Sequence, residues 1–332
     1  MSANRDEAVR LFVAGAAGQG SGKSTLCLGI LGALLEMGYS PDELAYIKPC
    51  TQGIQQTLVA KFCKAKGIRA RHVGPVVFFA GFTQKFATET LPTEVYGRNV
   101  EEYRSTLQSR IEEAVDDLLN PSADIADFTN DDITAVKNKP IKVLLIDGVG
   151  YPGVGSLCGV SNATTAFLCK SPVLIVGKPG MGDSIDSYEQ ARSFFEACPN
   201  GRVPVLGMIV NRVREGEMKK TSAVKDYFSR VVPKYFWDTY PLDLPKLYGI
   251  LPENEVFSRI DLDSYAPPGE HATCNITLRP PKPSQLTVDL PTREEEEICA
   301  ALVANFTKNV DRETLKALLE NCGRLQKTMV LG

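Results

Sequence analysis

Short runs of consecutive apolar residues recur along the chain, and each run ends in glycine, proline or a polar turn. Six of them read LFVAGA, AYIKPC, KVLLIDG, SPVLIVGK, VLGMIVNRV and YGILPE. Because these runs are apolar throughout and do not alternate with polar residues, they predict strands that are buried on both faces of a sheet.

Patterns typical of helices lie between these runs, notably at residues 26–37, 100–119 and 185–197. Strands that alternate with helices predict βαβ units, and therefore an α/β fold with a mostly parallel sheet and helices on both faces. Ligands of such sheets bind at the carboxyl ends of the strands, so we expect the functional residues at those ends.

Two polar segments interrupt this alternation. Residues 120–141 predict a polar surface insertion, and the proline-rich residues 263–292 predict an extended excursion. We therefore expect one main domain over residues 8–262, and a C-terminal helical region over residues 293–332 that packs on the same domain.

The C-terminal region contains two apolar stripes with helical spacing. The first stripe occupies positions i, i+4 and i+8, and the second occupies positions i, i+3, i+4 and i+7. These spacings predict one apolar face on each helix. The stripes consist of Ile298, Leu302 and Phe306, and of Leu315, Leu318, Leu319 and Cys322. The pattern favours packing on the core, and a contact between two subunits is the alternative.

Composition narrows the class of protein. The 332 residues are 43% hydrophobic and 23% charged, which suffices for a sizeable core and argues against general disorder. The formal net charge of −3 gives no overall basic balance for nucleic acid. Nine cysteines without a C-x-x-C pair, together with two histidines, predict reduced thiols and no zinc site.

Neither a secretory signal nor a membrane-spanning segment is evident in the sequence. The first residues lack a long apolar run, and no stretch of about 18 apolar residues occurs. We therefore expect a cytoplasmic protein that binds neither membrane nor nucleic acid.

The stretch GQGSGKST follows the first predicted strand and precedes the first predicted helix. A strand, a glycine-rich turn and a helix whose first amides face an anion together form a phosphate-binding loop. The usual spacing would put a glycine at position 17, where this chain has Ala17. The predicted nucleotide-binding residues of this loop are Gly18, Gly20, Ser21, Gly22, Lys23, Ser24 and Thr25.

Five side chains suggest what the loop does. Lys23 can reach the β- and γ-phosphates, and Ser24 or Thr25 can offer a hydroxyl to Mg²⁺. Asp147 ends an apolar strand, which is the usual position of an acid that holds Mg²⁺ beside a phosphate loop. Lys48, at the end of another strand, can neutralise a carboxylate, a carbamate or a transferring phosphoryl group. The alternatives are a turn aspartate and a surface lysine.

With these features the chain resembles the dethiobiotin synthetase and cobyrinic acid a,c-diamide synthase group of P-loop ATPases. The resemblance covers most of residues 10–255 and rests on the widened loop, AYIKPCTQG, the acid of KVLLIDGVG, VLGMIVNRV and YGILPE. It implies ATP and Mg²⁺ as cofactors, with Ser24 and Asp147 as metal ligands and Lys23 and Lys48 as catalytic residues. It also implies adenine contacts at Asn211 and Pro252, and substrate contacts at Lys48, Thr51, Gln52 and Gly150. One departure is that residues 44–115 contain no aspartate, although the family has an acid after the second strand.

The resemblance implies an ATP-dependent ligase or cyclase that acts on a small molecule, as in biotin biosynthesis, and that forms a homodimer. Such an enzyme phosphorylates a carbamate or carboxylate before ring closure or amide formation. The alternative is a regulatory or switch P-loop ATPase, although those proteins commonly carry an extra lysine at the start of the loop, which is absent before Lys23. A glutamine-dependent amidase and a nucleotide kinase are weaker alternatives, because the C-terminal region is small and no arginine-rich lid is evident.

Overall fold

A parallel sheet of seven strands, surrounded by helices, forms the centre of the protein. The computed structural model describes residues 8–16, 20–78, 81–82, 86, 97–120, 139–235, 244–256 and 287–330. This architecture is that of a P-loop NTPase, and the predicted α/β fold with a mostly parallel sheet is confirmed.

The sheet has the order β4-β2-β6-β1-β7-β8-β9, and β3 and β5 form a separate parallel pair. The strands are β1 Val9–Gly15, β2 Leu44–Ile47, β3 Cys50–Thr51, β4 Arg69–Arg71, β5 Val76–Val77, β6 Val143–Asp147, β7 Val173–Gly177, β8 Val205–Val213 and β9 Lys246–Pro252. All six apolar runs contain a strand of the main sheet. The remaining strands have two or three residues, too few for a hydrophobic pattern to show.

Helices connect most of the strands. They are α1 Lys23–Glu36, α2 Leu58–Lys66, α3 Gly97–Leu119, α4 Asn162–Leu168, α5 Met181–Glu196, α6 Met218–Asp226, α7 Val232–Tyr235, α8 Arg293–Asn309 and α9 Arg312–Val330. The three helices predicted from their patterns begin about one turn earlier than expected, because their first residues, apart from Met181, are polar or glycine and show no apolar period.

The central strand β1 shows how the sheet is buried on both faces. Leu11 and Val13 pack into the core cluster that contains α1, whereas Phe12 and Ala14 pack into the cluster on the other face. Successive side chains of a strand point to opposite faces, so an uninterrupted apolar run is required here.

The C-terminal helices close one of these faces. Helix α8 packs along α1, and α9 lies against β1. Both apolar stripes predicted from the sequence are buried, with no member more than 5% exposed, so they pack in the core and are not available as a dimer contact. Residues 121–138 and 257–286, which hold most of the polar insertion and of the proline-rich excursion, lie outside the described residues, and the division into regions stays a prediction.

Close packing of α1 on α8 generates a first prediction. A Cβ atom at Gly32 would overlap the side chain of Val303 on α8. We expect Gly32→Ala to lower the free energy of unfolding by roughly 1–3 kcal/mol, although alanine normally favours a helix. Denaturant unfolding measures this change.

Two further variants control this prediction. Val303→Ala should partly restore the stability of Gly32→Ala, because it removes the overlapping methyl groups. Gly323 of α9 offers a matched control, since a Cβ there would lie 3.5 Å from Cγ2 of Val9, an ordinary contact distance. Equal effects of alanine at Gly32 and Gly323 would contradict the packing argument.

Candidate functional site

The phosphate loop lies between β1 and α1, at the carboxyl end of the central strand. Gly20 and Gly22 have φ angles of 83° and 81°, in the left-handed region that favours glycine. A Cβ at Gly22 would also overlap the Asn211 side chain, so the close approach of β8 requires glycine there. Gly18 lies outside the described residues.

The side chains of the loop are held within it. Thr25 Oγ1 donates to the carbonyl oxygen of Gly22 at 2.8 Å, and Lys23 Nζ lies 3.4 Å from Ser21 Oγ. Lys23 is only 8% exposed, and its burial lowers its pKa to about 8, against an opposing effect of Asp147. A desolvated ammonium at a helix N-terminus makes this loop suited to an anion.

Asp147 is the centre of a second group of side chains. It ends β6, which lies between β1 and β2 in the sheet, and it is fully buried. Its Oδ2 accepts hydrogen bonds from Ser24 Oγ at 2.6 Å, Tyr46 OH at 2.9 Å and Lys48 Nζ at 3.3 Å. The structure thus brings together Ser24, Lys48 and Asp147, which the sequence placed on three separate elements.

Thr51 lies on the short strand β3 and Gln52 directly follows it, and both lie outside this hydrogen-bonded group. The backbone of Lys48 continues the pairing of β2, since its N–H donates to the carbonyl oxygen of Arg71 at 3.0 Å. Thr51 is 5% exposed, and its Oγ1 is buried without a hydrogen-bond partner among the described residues. The Thr51 hydroxyl is therefore available for another group.

Gly150 lies in the loop that leaves Asp147. Its φ angle of 54° is left-handed, and a Cβ there would lie 2.7 Å from Cγ2 of Val154. Asn162 supports this loop: its Nδ2 donates to the carbonyl oxygens of Val149 at 2.7 Å and Tyr151 at 2.9 Å, and its Oδ1 accepts from the Val149 amide at 3.0 Å. The backbone at Gly150 is thereby fixed beyond the end of β6.

Asn211 contacts the phosphate loop directly. The family resemblance places this residue after a strand, whereas in the structure it lies within β8 and is 2% exposed. Its Nδ2 donates to the carbonyl oxygens of Ser21 at 3.2 Å and Gly22 at 3.5 Å, and its Oδ1 is buried without a partner among the described residues.

A small pocket lies beside Asn211. Its lining combines the phosphate-loop helix, two strands and the C-terminal helix α8: Thr25, Leu26, Asn211, Leu251, Leu302, Asn305 and Phe306. Pro252 ends β9 next to this lining, and its carbonyl oxygen accepts from Asn305 Nδ2 at 3.1 Å. Sequence reasoning missed the contribution of α8, because it depends on how a distant helix packs.

Residues 9–259 match a family model described as an AAA domain. The chain belongs to this AAA-domain family. With its parallel sheet and phosphate loop, it has the fold of an ATP-binding P-loop ATPase.

Comparison with individual proteins adds less. No curated protein matches the chain. Among solved structures, a protein from Borrelia burgdorferi B31 described as a plasmid partition protein bound to AMPPNP is similar over 91% of this chain and 99% of that chain. The identity is 14% and the TM-score is 0.33, so this likeness supports no statement about what the AAA-domain protein binds.

The residues of this AAA-domain site fit a magnesium ion. Asp147 Oδ1 is buried and has no hydrogen-bond partner among the described residues, although Oδ2 of the same carboxylate accepts three. Within the described part of the chain, no three His, Cys, Asp or Glu side chains cluster as a metal site. Magnesium at nucleotide sites takes few protein ligands together with phosphates and waters, so Asp147 and Ser24 suffice.

Tyr46 and Arg212 are site residues that sequence reasoning missed. Tyr46 is fully buried in an apolar strand, where the pattern suggests only core packing, yet a buried tyrosine hydroxyl requires a partner. Burial and the proximity of Asp147 raise the Tyr46 pKa, so its hydroxyl stays protonated and donates. Arg212 donates from Nη1 to the carbonyl oxygen of Gly20 at 3.0 Å, and no motif marked it.

Every helix in the described ranges is too short or too polar to span a bilayer. Whether the AAA-domain protein binds nucleic acid stays a prediction, because its bulk charge is the only observation that bears on it.

The pH dependence of folding stability tests whether Lys23 is desolvated in the folded protein. Burial lowers its folded-state pKa from 10.5 to about 8, so at pH 7 the buried ammonium opposes folding. We expect Lys23→Met to raise the free energy of unfolding by roughly 1–3 kcal/mol at pH 7. Between pH 8 and pH 10.5 the unfolded lysine keeps a proton that the folded one has lost, so the advantage of the variant shrinks. Urea unfolding of both proteins at several pH values measures the difference in their free energies of unfolding. A difference that does not change with pH would contradict the assignment of the effect to desolvation of Lys23.

Tyr46→Phe tests the hydrogen bond to Asp147. The variant keeps the ring and removes one donor from a buried carboxylate, which should lower the free energy of unfolding by roughly 1–3 kcal/mol. Thermal and urea unfolding measure the loss. Tyr39→Phe is the control, because Tyr39 is only partly buried and lies at the end of α1, away from Asp147. Equal stability of the two variants would show that the Tyr46 hydroxyl contributes nothing.

Proposed function

We propose that this AAA-domain protein is an ATP-dependent ligase or cyclase of the dethiobiotin synthetase type. The observation that carries the proposal is the position of Lys48, whose Nζ lies 3.3 Å from Asp147 and 3.4 Å from Ser24. It adds a second lysine, besides Lys23, next to the proposed magnesium ligands. The matching family includes dethiobiotin synthetase-like ATPases, which is consistent with this assignment.

The proposed roles follow the positions of the side chains. The loop amides and Lys23 would cradle the phosphates, while Ser24 and Asp147 would hold a magnesium ion, which would supply positive charge to the phosphates. Asn211 and the turn at Pro252 flank the base. Lys48 orients the acceptor with the help of the Thr51 hydroxyl, Gln52 and the backbone at Gly150.

Charge neutralisation is the main requirement of such a reaction. A carbamate oxygen attacks the γ-phosphorus and ADP leaves; the second amine then attacks the carbonyl carbon, loses its proton and displaces inorganic phosphate. Two unit negative charges 4 Å apart repel by about 4 kcal/mol at an effective dielectric constant near 20. Lys23 and Lys48 lie where they can offset this repulsion, and the scheme requires no histidine base.

The second candidate is a regulatory or switch ATPase without synthetase activity. The ion pair between Lys48 and Asp147 favours it, because a lysine that already neutralises a buried carboxylate can be purely structural. In this case ATP binding and hydrolysis would not depend on any acceptor. A small-molecule substrate, a homodimer and a cytoplasmic location belong to the first candidate and are part of that proposal.

Two lysine variants test the proposal. Lys23→Ala should abolish ATP turnover, because it removes the cation that contacts the phosphates. Lys48→Ala should still bind ATP but lose product formation by at least about a hundred-fold. Lys142→Ala is the control, since Lys142 also pairs with a carboxylate, Glu43, but lies at the amino end of β6.

The assay follows phosphate release with a panel of diamino acids plus bicarbonate, including 7,8-diaminopelargonate, and detects the cyclised product. We expect a diamino acid to stimulate turnover. If no diamino acid stimulates the wild-type protein while ATP is still hydrolysed, the synthetase proposal fails and the switch candidate stands. Full synthesis by Lys48→Ala would also overturn the assigned role of Lys48.

A further inference from the structure

Strand β8 contains an irregularity where it passes the phosphate loop. Val210 is paired with Ile250 of β9, but Val213 is paired with Pro252, so the register shifts between them. Asn211 and Arg212 therefore oppose a single residue of β9, as in a β-bulge. Arg212 has a φ angle of 59°, in the left-handed region that side chains rarely adopt.

This bulge changes where two neighbouring side chains point. In a regular strand, successive side chains lie on opposite faces of the sheet. Here both reach the same loop: Asn211 Nδ2 donates to the carbonyl oxygen of Ser21 at 3.2 Å, and Arg212 Nη1 donates to that of Gly20 at 3.0 Å. The strained backbone at Arg212 is what breaks the alternation.

The two contacts fix the orientation of consecutive peptide groups in the loop. In a planar trans peptide, the C=O and N–H bonds point in opposite directions. Holding the carbonyls of Gly20 and Ser21 towards β8 therefore turns the N–H groups of Ser21 and Gly22 to the opposite side. A phosphate loop binds its anion through such N–H groups.

Glu253 holds the arginine in place. Its Oε1 lies 3.1 Å from Arg212 Nη2, and its Oε2 lies 3.4 Å from Arg214 Nε. The Glu253 amide donates to the carbonyl oxygen of Val213 at 2.9 Å, which anchors the carboxylate beside the bulge. The Arg212 guanidinium is thus held through Nη2 by Glu253, the residue after β9, and contacts the loop through Nη1.

We propose that the Asn211–Arg212 bulge is a positioning device for the phosphate loop, in which Arg212 is a positioning residue that turns the amides of Ser21 and Gly22 towards a bound triphosphate. Backbone strain is retained at Arg212 because a relaxed strand would direct its side chain away from the loop. This inference goes beyond the synthetase reaction, since it depends only on binding of the nucleotide.

The test compares Arg212→Ala with Arg214→Ala in the full chain. Both variants remove one arginine from Glu253 and change the net charge equally, but Arg214 is exposed and makes no hydrogen bond to Gly20, Ser21 or Gly22, the described glycine-rich part of the loop. We expect Arg212→Ala to bind AMPPNP about ten-fold more weakly than the wild type, the loss of a charged hydrogen bond, and Arg214→Ala to bind it normally. Isothermal titration calorimetry measures both, with nucleotide alone and no amine or bicarbonate present.

Arg212→Gly distinguishes an effect on nucleotide binding from an effect on folding stability. Glycine adopts the left-handed conformation without strain, so its unfolding temperature should equal or exceed that of Arg212→Ala while AMPPNP binding stays weak. Inorganic triphosphate should show the same loss of affinity, because the loop amides contact phosphate and not the base. Three outcomes would overturn the proposal. The first is AMPPNP binding as tight as that of the wild type by either Arg212 variant, and the second is a loss of AMPPNP affinity that is proportional to the loss of folding stability. The third is that the wild type does not bind AMPPNP. Loss of diamine-stimulated turnover with AMPPNP binding intact would instead count against the synthetase reaction alone.

Discussion

A single buried carboxylate, that of Asp147, determines how the site is assembled. Removing a charge from water is costly unless donors compensate it, and here the donors come from the first turn of α1, from β2 and from the residue after β2. In the sheet, β2 lies next to β6, and β6 lies next to β1, which leads into the phosphate loop. The need to stabilise one oxygen atom therefore ties the phosphate-loop helix to β2, which carries Tyr46, and to Lys48 directly after it.

The C-terminal helices pack against the same phosphate-loop helix, α1, and against the sheet. Helix α8 packs so closely on α1 that Gly29 and Gly32 leave no room for a methyl group against Phe306 and Val303. Phe306 also lines the pocket beside Asn211. The helix that starts at the phosphate loop is thus packed against a segment far away in the sequence.

The features that were predictable from the sequence are those with a local cause. Uninterrupted apolar runs indicated the buried strands, and a strand, glycines and GKST in succession indicated the loop, because each pattern lies within a few consecutive residues. Tyr46 looked like a core residue, since only the sheet order brings its hydroxyl to Asp147. Arg212 gave no signal, because its role depends on a register shift between β8 and β9. Neither sheet order nor strand register is specified by the spacing of residues within one element.

Lys23 links the nucleotide to the proton concentration of the solution. Because burial lowers its pKa to about 8, a fraction of the unliganded molecules carries a neutral amine under mildly alkaline conditions. An anion bound beside Nζ would favour the charged ammonium, so binding would take up part of a proton from the solvent. A loop of this kind would couple ligand binding to protonation, and its affinity for phosphate would decline at alkaline pH even while the phosphate itself remained fully ionised.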